Sequence, residues 1–175
     1  EVTAPRGFAL DPTTHVVSPY DRSTWVVNST DTPLNDPLRI TLNKISADSN
    51  VVENPASLEG AEFTIKYYAG QFTMDTLPTA PTRTWVVKTA LIGGRYVTTL
   101  DDSLKVEGDS FYLDGGILTL PLGTITVEET KAPAGYTLQN KMLSAGGQEV
   151  ANGIALFNIT ENDQHIAAVV GGNEY

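Results

Sequence analysis

The chain has 175 residues, a formal net charge of −10 and a hydrophobic content of 41%, which is typical of a globular protein with a real core. The acidic balance disfavours a nucleic acid as partner, because phosphate binding requires clustered lysine and arginine. The absence of cysteine excludes disulfides, thiolate metal sites and a cysteine nucleophile, and no apolar run is long enough to span a membrane.

A motif at the start of the chain recurs in its second half. Residues 1–8 read EVTAPRGF and residues 129–136 read ETKAPAGY, so the acidic, Ala-Pro and Gly-aromatic positions coincide. Asn28 and Asn158 follow the two copies at nearly equal spacing. Repetition of this kind indicates a modular array. We therefore expect residues 1–37 to be the C-terminal remnant of a preceding repeat plus a linker.

Short runs of alternating apolar and polar residues, separated by turns that contain Gly and Pro, predict an all-β domain. The predicted strands, in chain order, are 38–44, 61–67, 84–88, 111–113, 117–120, 125–129 and 154–158. Residues 114–116, Asp-Gly-Gly, predict a hairpin turn, and a short helical turn is expected within 96–107. The pattern predicts a β-sandwich, with a complete domain over 38–163 and a tail or the start of the next linker over 164–175.

Three of these strands carry a polar residue on a face that is otherwise apolar. Alternate side chains of a strand share a face, and the polar residues are Lys44, Glu129 and Asn158. The apolar residues that share their faces are Ile40 and Leu42, Ile125 and Val127, and Ile154 and Leu156. Lysine and glutamate are rarely buried without partners. We therefore predict that the three polar side chains meet in one core.

At this point a family resemblance becomes visible. Residues 127–136, VEETKAPAGY, resemble the E-box of the Cna protein B-type, or SpaA-like, domain of Gram-positive pilins and surface adhesin stalks. Residues 42–44 and 58–63 resemble its opening strands, and residues 157–158 its closing strand, so the resemblance covers roughly 38–162. It implies a prealbumin-like, immunoglobulin-like β-sandwich with an intramolecular isopeptide bond.

The resemblance also implies a role for each member of the polar trio. Lys44 is expected to supply the nucleophilic amine, Asn158 the carboxamide and Glu129 the acid/base catalyst. Burial favours the neutral forms of an amine and a carboxyl group, and only the neutral amine is a nucleophile. A protonated carboxyl can bond the carboxamide oxygen and pass its proton to the departing ammonia. The alternative left open is an unreacted, hydrogen-bonded cluster.

The leading functional hypothesis is a stalk or spacer module of an extracellular, cell-wall-attached Gram-positive surface protein or pilin, with neighbouring repeats of the same polypeptide as partners. The alternative is an adhesin module that binds a host protein or glycan, since a fold alone does not separate the two. An enzyme with an external substrate is not expected. No cofactor or metal is expected either, since His15 and His165 lack ligand spacing. Asn28 is expected to form no bond, because its lysine would lie upstream.

Overall fold

The computed structural model describes residues 8–9, 13–16, 24, 26–28, 32–33, 40–46, 56–138, 151–161, 164 and 166–173. For 8–9, 32–33, 151 and 167–173 the description covers the backbone. This part of the chain is almost entirely β, with two short 3₁₀ turns at Met74–Thr76 and Ala151–Gly153. Within it, no helix is long and apolar enough to cross a membrane.

The strands confirm most of the sequence predictions. In chain order they are β1 (Phe8–Ala9), β2 (Thr32–Pro33), β3 (Ile40–Ser46), β4 (Glu62–Tyr68), β5 (Arg83–Lys88), β6 (Ala90–Ile92), β7 (Arg95–Thr98), β8 (Lys105–Gly108), β9 (Tyr112–Asp114), β10 (Ile117–Thr119), β11 (Gly123–Lys131), β12 (Ile154–Ile159) and β13 (Ile166–Asn173). Strands β3 to β5 and β9 to β12 overlap the predicted ones. The helical turn expected within 96–107 lies at residues 101–105, where the Lys105 N–H donates to the Asp101 carbonyl at 2.9 Å.

The strands form two main sheets. The five-stranded sheet has the order β12-β11-β4-β5-β8, and each strand is antiparallel to its neighbours. The four-stranded sheet has the order β13-β3-β7-β6, in which β13 runs parallel to β3 and the other pairs are antiparallel. Strands β9 and β10 form a separate hairpin, and β1 and β2 form a two-residue pair.

Strand β13 corrects one prediction. Residues 164–175 are predicted to be a tail or linker, but 166–173 pair along β3 from Ile166 opposite Ile40 onward. The apolar run of 166–170 completes the backbone hydrogen bonding of the strand that carries Lys44, which would otherwise be a sheet edge. Residues 166–173 are therefore part of the four-stranded sheet.

One hydrophobic core lies between the two sheets. On β4 the inward side chains Phe63, Ile65 and Tyr67 are at most 1% exposed, as alternation predicts. Ile40 and Leu42 of the four-stranded sheet belong to the same cluster. Each large apolar side chain buried in this way contributes roughly 1.5–3 kcal/mol. The predicted β-sandwich is confirmed.

The predicted hairpin turn is also confirmed. Asp114 pairs with Ile117, so Gly115 and Gly116 form a two-residue loop with φ values of 58° and 86°. A type I′ hairpin turn needs positive φ at both positions, which glycine adopts without a steric cost.

Candidate functional site

A buried ion pair joins the two sheets. The Lys44 Nζ donates a hydrogen bond to Glu129 Oε2 at 3.0 Å, and both side chains are 0% exposed. Lys44 lies on β3 of the four-stranded sheet, and Glu129 lies on β11 of the five-stranded sheet. The prediction that these two residues meet in the core is confirmed.

Strand alternation explains why both polar side chains point inward. Lys44 continues the face of Leu42, and Glu129 continues the face of Val127, and both of these apolar residues are 0% exposed. The pairing of β11 with β4 shifts register just after Glu129, and Lys131 then pairs with Glu62 outside the core. The motif thus passes from a buried carboxylate to exposed residues within two positions.

Burial sets the electrostatics of the amine. Loss of solvation lowers the pKa of Lys44 from its ordinary value of 10.5, although the charge of Glu129 and its hydrogen bond act in the opposite direction. A lowered pKa increases the neutral fraction of the amine, and only that form is nucleophilic. The environment of Lys44 therefore favours the reactive form.

The end of the E-box folds back beside this pair. Pro133 is buried, and its carbonyl accepts the Tyr136 N–H at 3.1 Å in a tight turn. The Tyr136 hydroxyl donates to the Ala56 carbonyl at 2.8 Å, which ties the motif to the segment leading into β4. Tyr136 and Lys44 line the same cavity of about 550 Å³. The motif thus supplies the carboxylate and also contributes to the wall of this cavity.

Asn158 does not join this pair, and the predicted trio is wrong in this member. Asn158 pairs with Thr124 on β11, and Glu129 lies five residues farther along that strand, roughly 17 Å at the rise of an antiparallel strand. The inward face of β12 carries Ala155 and Ile159, which are 2% and 4% exposed. Asn158 has the opposite parity and therefore faces away from the core.

Asn158 instead belongs to a neutral hydrogen-bond cluster on the outer face of the five-stranded sheet. The Thr124 hydroxyl donates to Asn158 Oδ1 at 2.6 Å, and the Phe72 N–H donates to Thr124 Oγ1 at 2.9 Å. Asn158 Nδ2 donates to the Phe72 carbonyl at 3.2 Å. Gln71 Nε2 adds a bond to the Ile159 carbonyl at 2.7 Å. This cluster fastens residues 70–72 over β11 and β12.

Sequence reasoning missed Asn173. It is the last residue of β13 and pairs with Ser46, two positions beyond Lys44 on the adjacent parallel strand. The available signal was the apolar run of 166–170, which is long enough for a strand and ends at Gly171.

Of the remaining sequence candidates, those that the structure describes do not join the buried pair. Asn28 and His15 are exposed, while Glu1 and His165 lie outside the described residues. Among the described residues there is no group of three or more His, Asp or Glu side chains that could hold a metal ion.

Comparison with known proteins agrees with this architecture. The family model of the SpaA prealbumin-like fold domain matches residues 39–146, which is more than half of the chain. The matched range contains β3, β4, β11 and the E-box, and thus both members of the buried ion pair. A comparison with curated proteins found no match. The chain therefore belongs to the SpaA family of prealbumin-like fold domains.

Proposed function

We propose that this protein is a structural stalk or spacer module of a cell-wall-anchored Gram-positive surface protein or pilin, locked by an isopeptide bond between Lys44 and an asparagine. Membership of a family of structural domains from Gram-positive surface proteins supports the setting. The observation that carries the proposal is the fully buried Lys44–Glu129 pair between the sheets. Neighbouring repeats of the same polypeptide are the partners of such a module.

The energetics of a buried ion pair support a chemical role. Removing two charges from water costs several kcal/mol per ion, and their attraction often fails to exceed that cost. A hydrophobic pair at the positions of Lys44 and Glu129 would serve packing equally well. The retention of an amine beside a carboxyl group in a dry core is therefore better explained by a reaction than by stability.

The proposed reaction needs only groups of the chain itself. The neutral Lys44 amine attacks the carboxamide carbon of an asparagine, and Glu129 in its protonated form donates a hydrogen bond to the carbonyl oxygen. The nitrogen–carbon bond of the isopeptide forms, the bond to the carboxamide nitrogen breaks, and ammonia leaves. Glu129 relays the proton from the Lys44 nitrogen to the leaving group. The step occurs once per chain and turns over no external substrate.

The bond would stabilise the module in two ways. By analogy with a disulfide that closes a loop of more than about 100 residues, it would contribute about 5 kcal/mol through the unfolded state. Lys44 lies on β3, the first long strand of the module. A covalent link from Lys44 to a late strand would therefore carry a force that pulls on the two ends of the module, and the strands between would not have to resist it. This durability suits an extracellular protein that has no cysteine.

Intact mass spectrometry tests the proposal. The wild type is expected to be lighter than its sequence by one ammonia, whereas Glu129→Ala is expected to have its full sequence mass. Glu128→Ala is the matched control, because Glu128 is the adjacent residue of β11 with the opposite parity. It is expected to lose ammonia like the wild type. A wild type at full sequence mass would overturn the proposal.

A further inference from the structure

The parallel pairing of β13 with β3 brings the end of the chain's last strand to the reactive lysine. The two strands run in register from Ile166 opposite Ile40 to Val170 opposite Lys44. Residues of neighbouring strands that are in register lie about 4.8 Å apart. The backbone of the residues just after Val170 therefore lies close in space to the backbone of Lys44.

The register shifts at this point. Val170 pairs with Lys44, but Asn173 pairs with Ser46, so three steps along β13 correspond to two steps along β3. The extra residue falls at Gly171 or Gly172, and glycine in a strand often marks such a bulge. Without the shift, Gly172 would take the position opposite Ser46.

The shift decides which face of the sheet the register position of Asn173 belongs to. Ser46 lies two residues beyond Lys44 on β3 and shares its face, since alternate residues do so. With the shift, Asn173 takes a position on the face that carries Lys44. Bulges commonly re-aim a residue next to a functional site.

The distance also suits a covalent link. Strand spacing and rise place the Cα atoms of Lys44 and Asn173 about 8 Å apart. A lysine joined to an asparagine through an isopeptide bond connects the two Cα atoms by eight covalent bonds, which span up to about 10 Å. Asn158 pairs with Thr124 in the other sheet, five residues along β11 from Glu129.

We infer that Asn173 is the carboxamide partner of Lys44, and that the Gly171–Gly172 bulge exists to place it there. This assignment rests on the proposed function. The bond from Lys44 Nζ to Asn173 Cγ forms, the bond from Cγ to Nδ2 breaks, and Nδ2 leaves as ammonia with the proton relayed by Glu129.

Two alanine variants test the assignment. Asn173→Ala is expected to have its full sequence mass, whereas Asn158→Ala is expected to be lighter by one ammonia, as in the wild type. Fragmentation of the wild type is expected to yield a branched peptide that joins Lys44 to Asn173. If the wild type loses ammonia and Asn173→Ala does so too, the assignment fails while the proposed function stands. If the wild type loses none, the proposed function itself fails.

Two deletions test the role of the bulge. Deleting Gly172 alone leaves Asn173 opposite Ser46 in a regular register, so the loss of ammonia is expected to persist. Deleting both Gly171 and Gly172 moves Asn173 opposite Ile45, on the other face. The fraction of chains that lose ammonia is then expected to fall at least tenfold. Circular dichroism checks that both variants keep the β fold. The reverse result, a bond in the double deletion and none in the single deletion, would overturn the register argument.

Discussion

Strand β11 carries two polar clusters, one on each face and near opposite ends. The inner cluster is the Lys44–Glu129 pair between the sheets, with side chains fully removed from solvent. The outer cluster is built on Thr124, which is 0% exposed and bonds Asn158 and Phe72. The inner cluster is fully buried and the outer one only in part, and their chemistry differs as well.

The difference lies in ionisation. The outer cluster is neutral, and each hydrogen bond satisfies a backbone or amide group, so it fixes a loop at little electrostatic cost. The inner cluster consists of an amine and a carboxyl group that have lost their hydration, which lowers the pKa of Lys44. Burial of polar atoms alone therefore does not single out a candidate reactive site, whereas burial of paired ionisable groups does.

The largest expected effect comes from breaking the inner cluster. Glu129→Ala removes the carboxylate partner of the buried Lys44 amine, which costs roughly 3–5 kcal/mol, and it also prevents the cross-link, which is worth about 5 kcal/mol. We expect the free energy of unfolding to fall by at least about 5 kcal/mol in urea denaturation. Glu128→Ala, on the other face, is expected to change it by about 0.5 kcal/mol. Equal losses in the two variants would contradict the special status of the inner cluster.

An intermediate effect is expected from the outer cluster. Thr124→Val keeps the shape of the side chain but leaves Asn158 Oδ1 and the Phe72 N–H without this partner. An unsatisfied buried group costs about 1–3 kcal/mol, so urea denaturation is expected to show a loss of that size.

Mass spectrometry of Thr124→Val tests whether the outer cluster takes part in the reaction of the inner one. Thr124→Val is expected to lose one ammonia as the wild type does, because the outer cluster takes no part in the reaction. Thr130→Val, on the exposed end of β11, controls for the substitution itself and is expected to be nearly neutral. A Thr124→Val protein at full sequence mass would contradict this prediction and would show that the reaction depends on the outer cluster.

The sequence predicted the inner pair because its two strands alternate cleanly. On β11, Thr124, Thr126 and Glu128 share one face, and Ile125 and Val127 share the other, so only one face is consistently apolar. Since side chains alternate with a period of two, such a strand has a defined inward face. The burial of Lys44 and Glu129 followed from this local pattern.

The position of Asn158 was not predictable in the same way. Strand β12 begins with Ile154, Ala155, Leu156 and Phe157, which are apolar on both faces. Alternation therefore selects neither face, and the face of Ile154 and Leu156 was the wrong one. The small residue Ala155 is the one that belongs to the core cluster. Packing of this kind depends on residues distant in sequence.

Strand β13 was missed because its pairing is entirely long-range. It is rich in alanine and glycine, which have low strand propensity, and its partner β3 lies near the other end of the module. A shift of one register position changes the face of every following residue. Gly171 and Gly172 indicate a bulge, but its register is set by the pairing with β3, so the position of Asn173 emerges only from the folded sheet.

The smallest expected effect is a dependence of stability on pH that only the inner cluster shows. Glu129→Gln should keep Lys44 as a buried amine that is not cross-linked, because the proposed acid/base group is gone. The lowered folded-state pKa means that, between that pKa and the ordinary value of 10.5, the unfolded chain binds more protons than the folded one. Stability therefore rises with pH through this window and is complete above the unfolded pKa.

The measurement compares Glu129→Gln with Glu129→Gln/Lys44→Met by urea denaturation from pH ~7 to ~9.5. Burial raises the pKa of Tyr67 above its ordinary value of 10.0, so this residue acts with the opposite sign above that pH, but equally in both variants. The difference in unfolding free energy between the variants is thus expected to rise with pH because of Lys44 alone. If this difference does not change with pH, the buried amine titrates as it would in water. The two clusters would then differ in their geometry but not in their electrostatics.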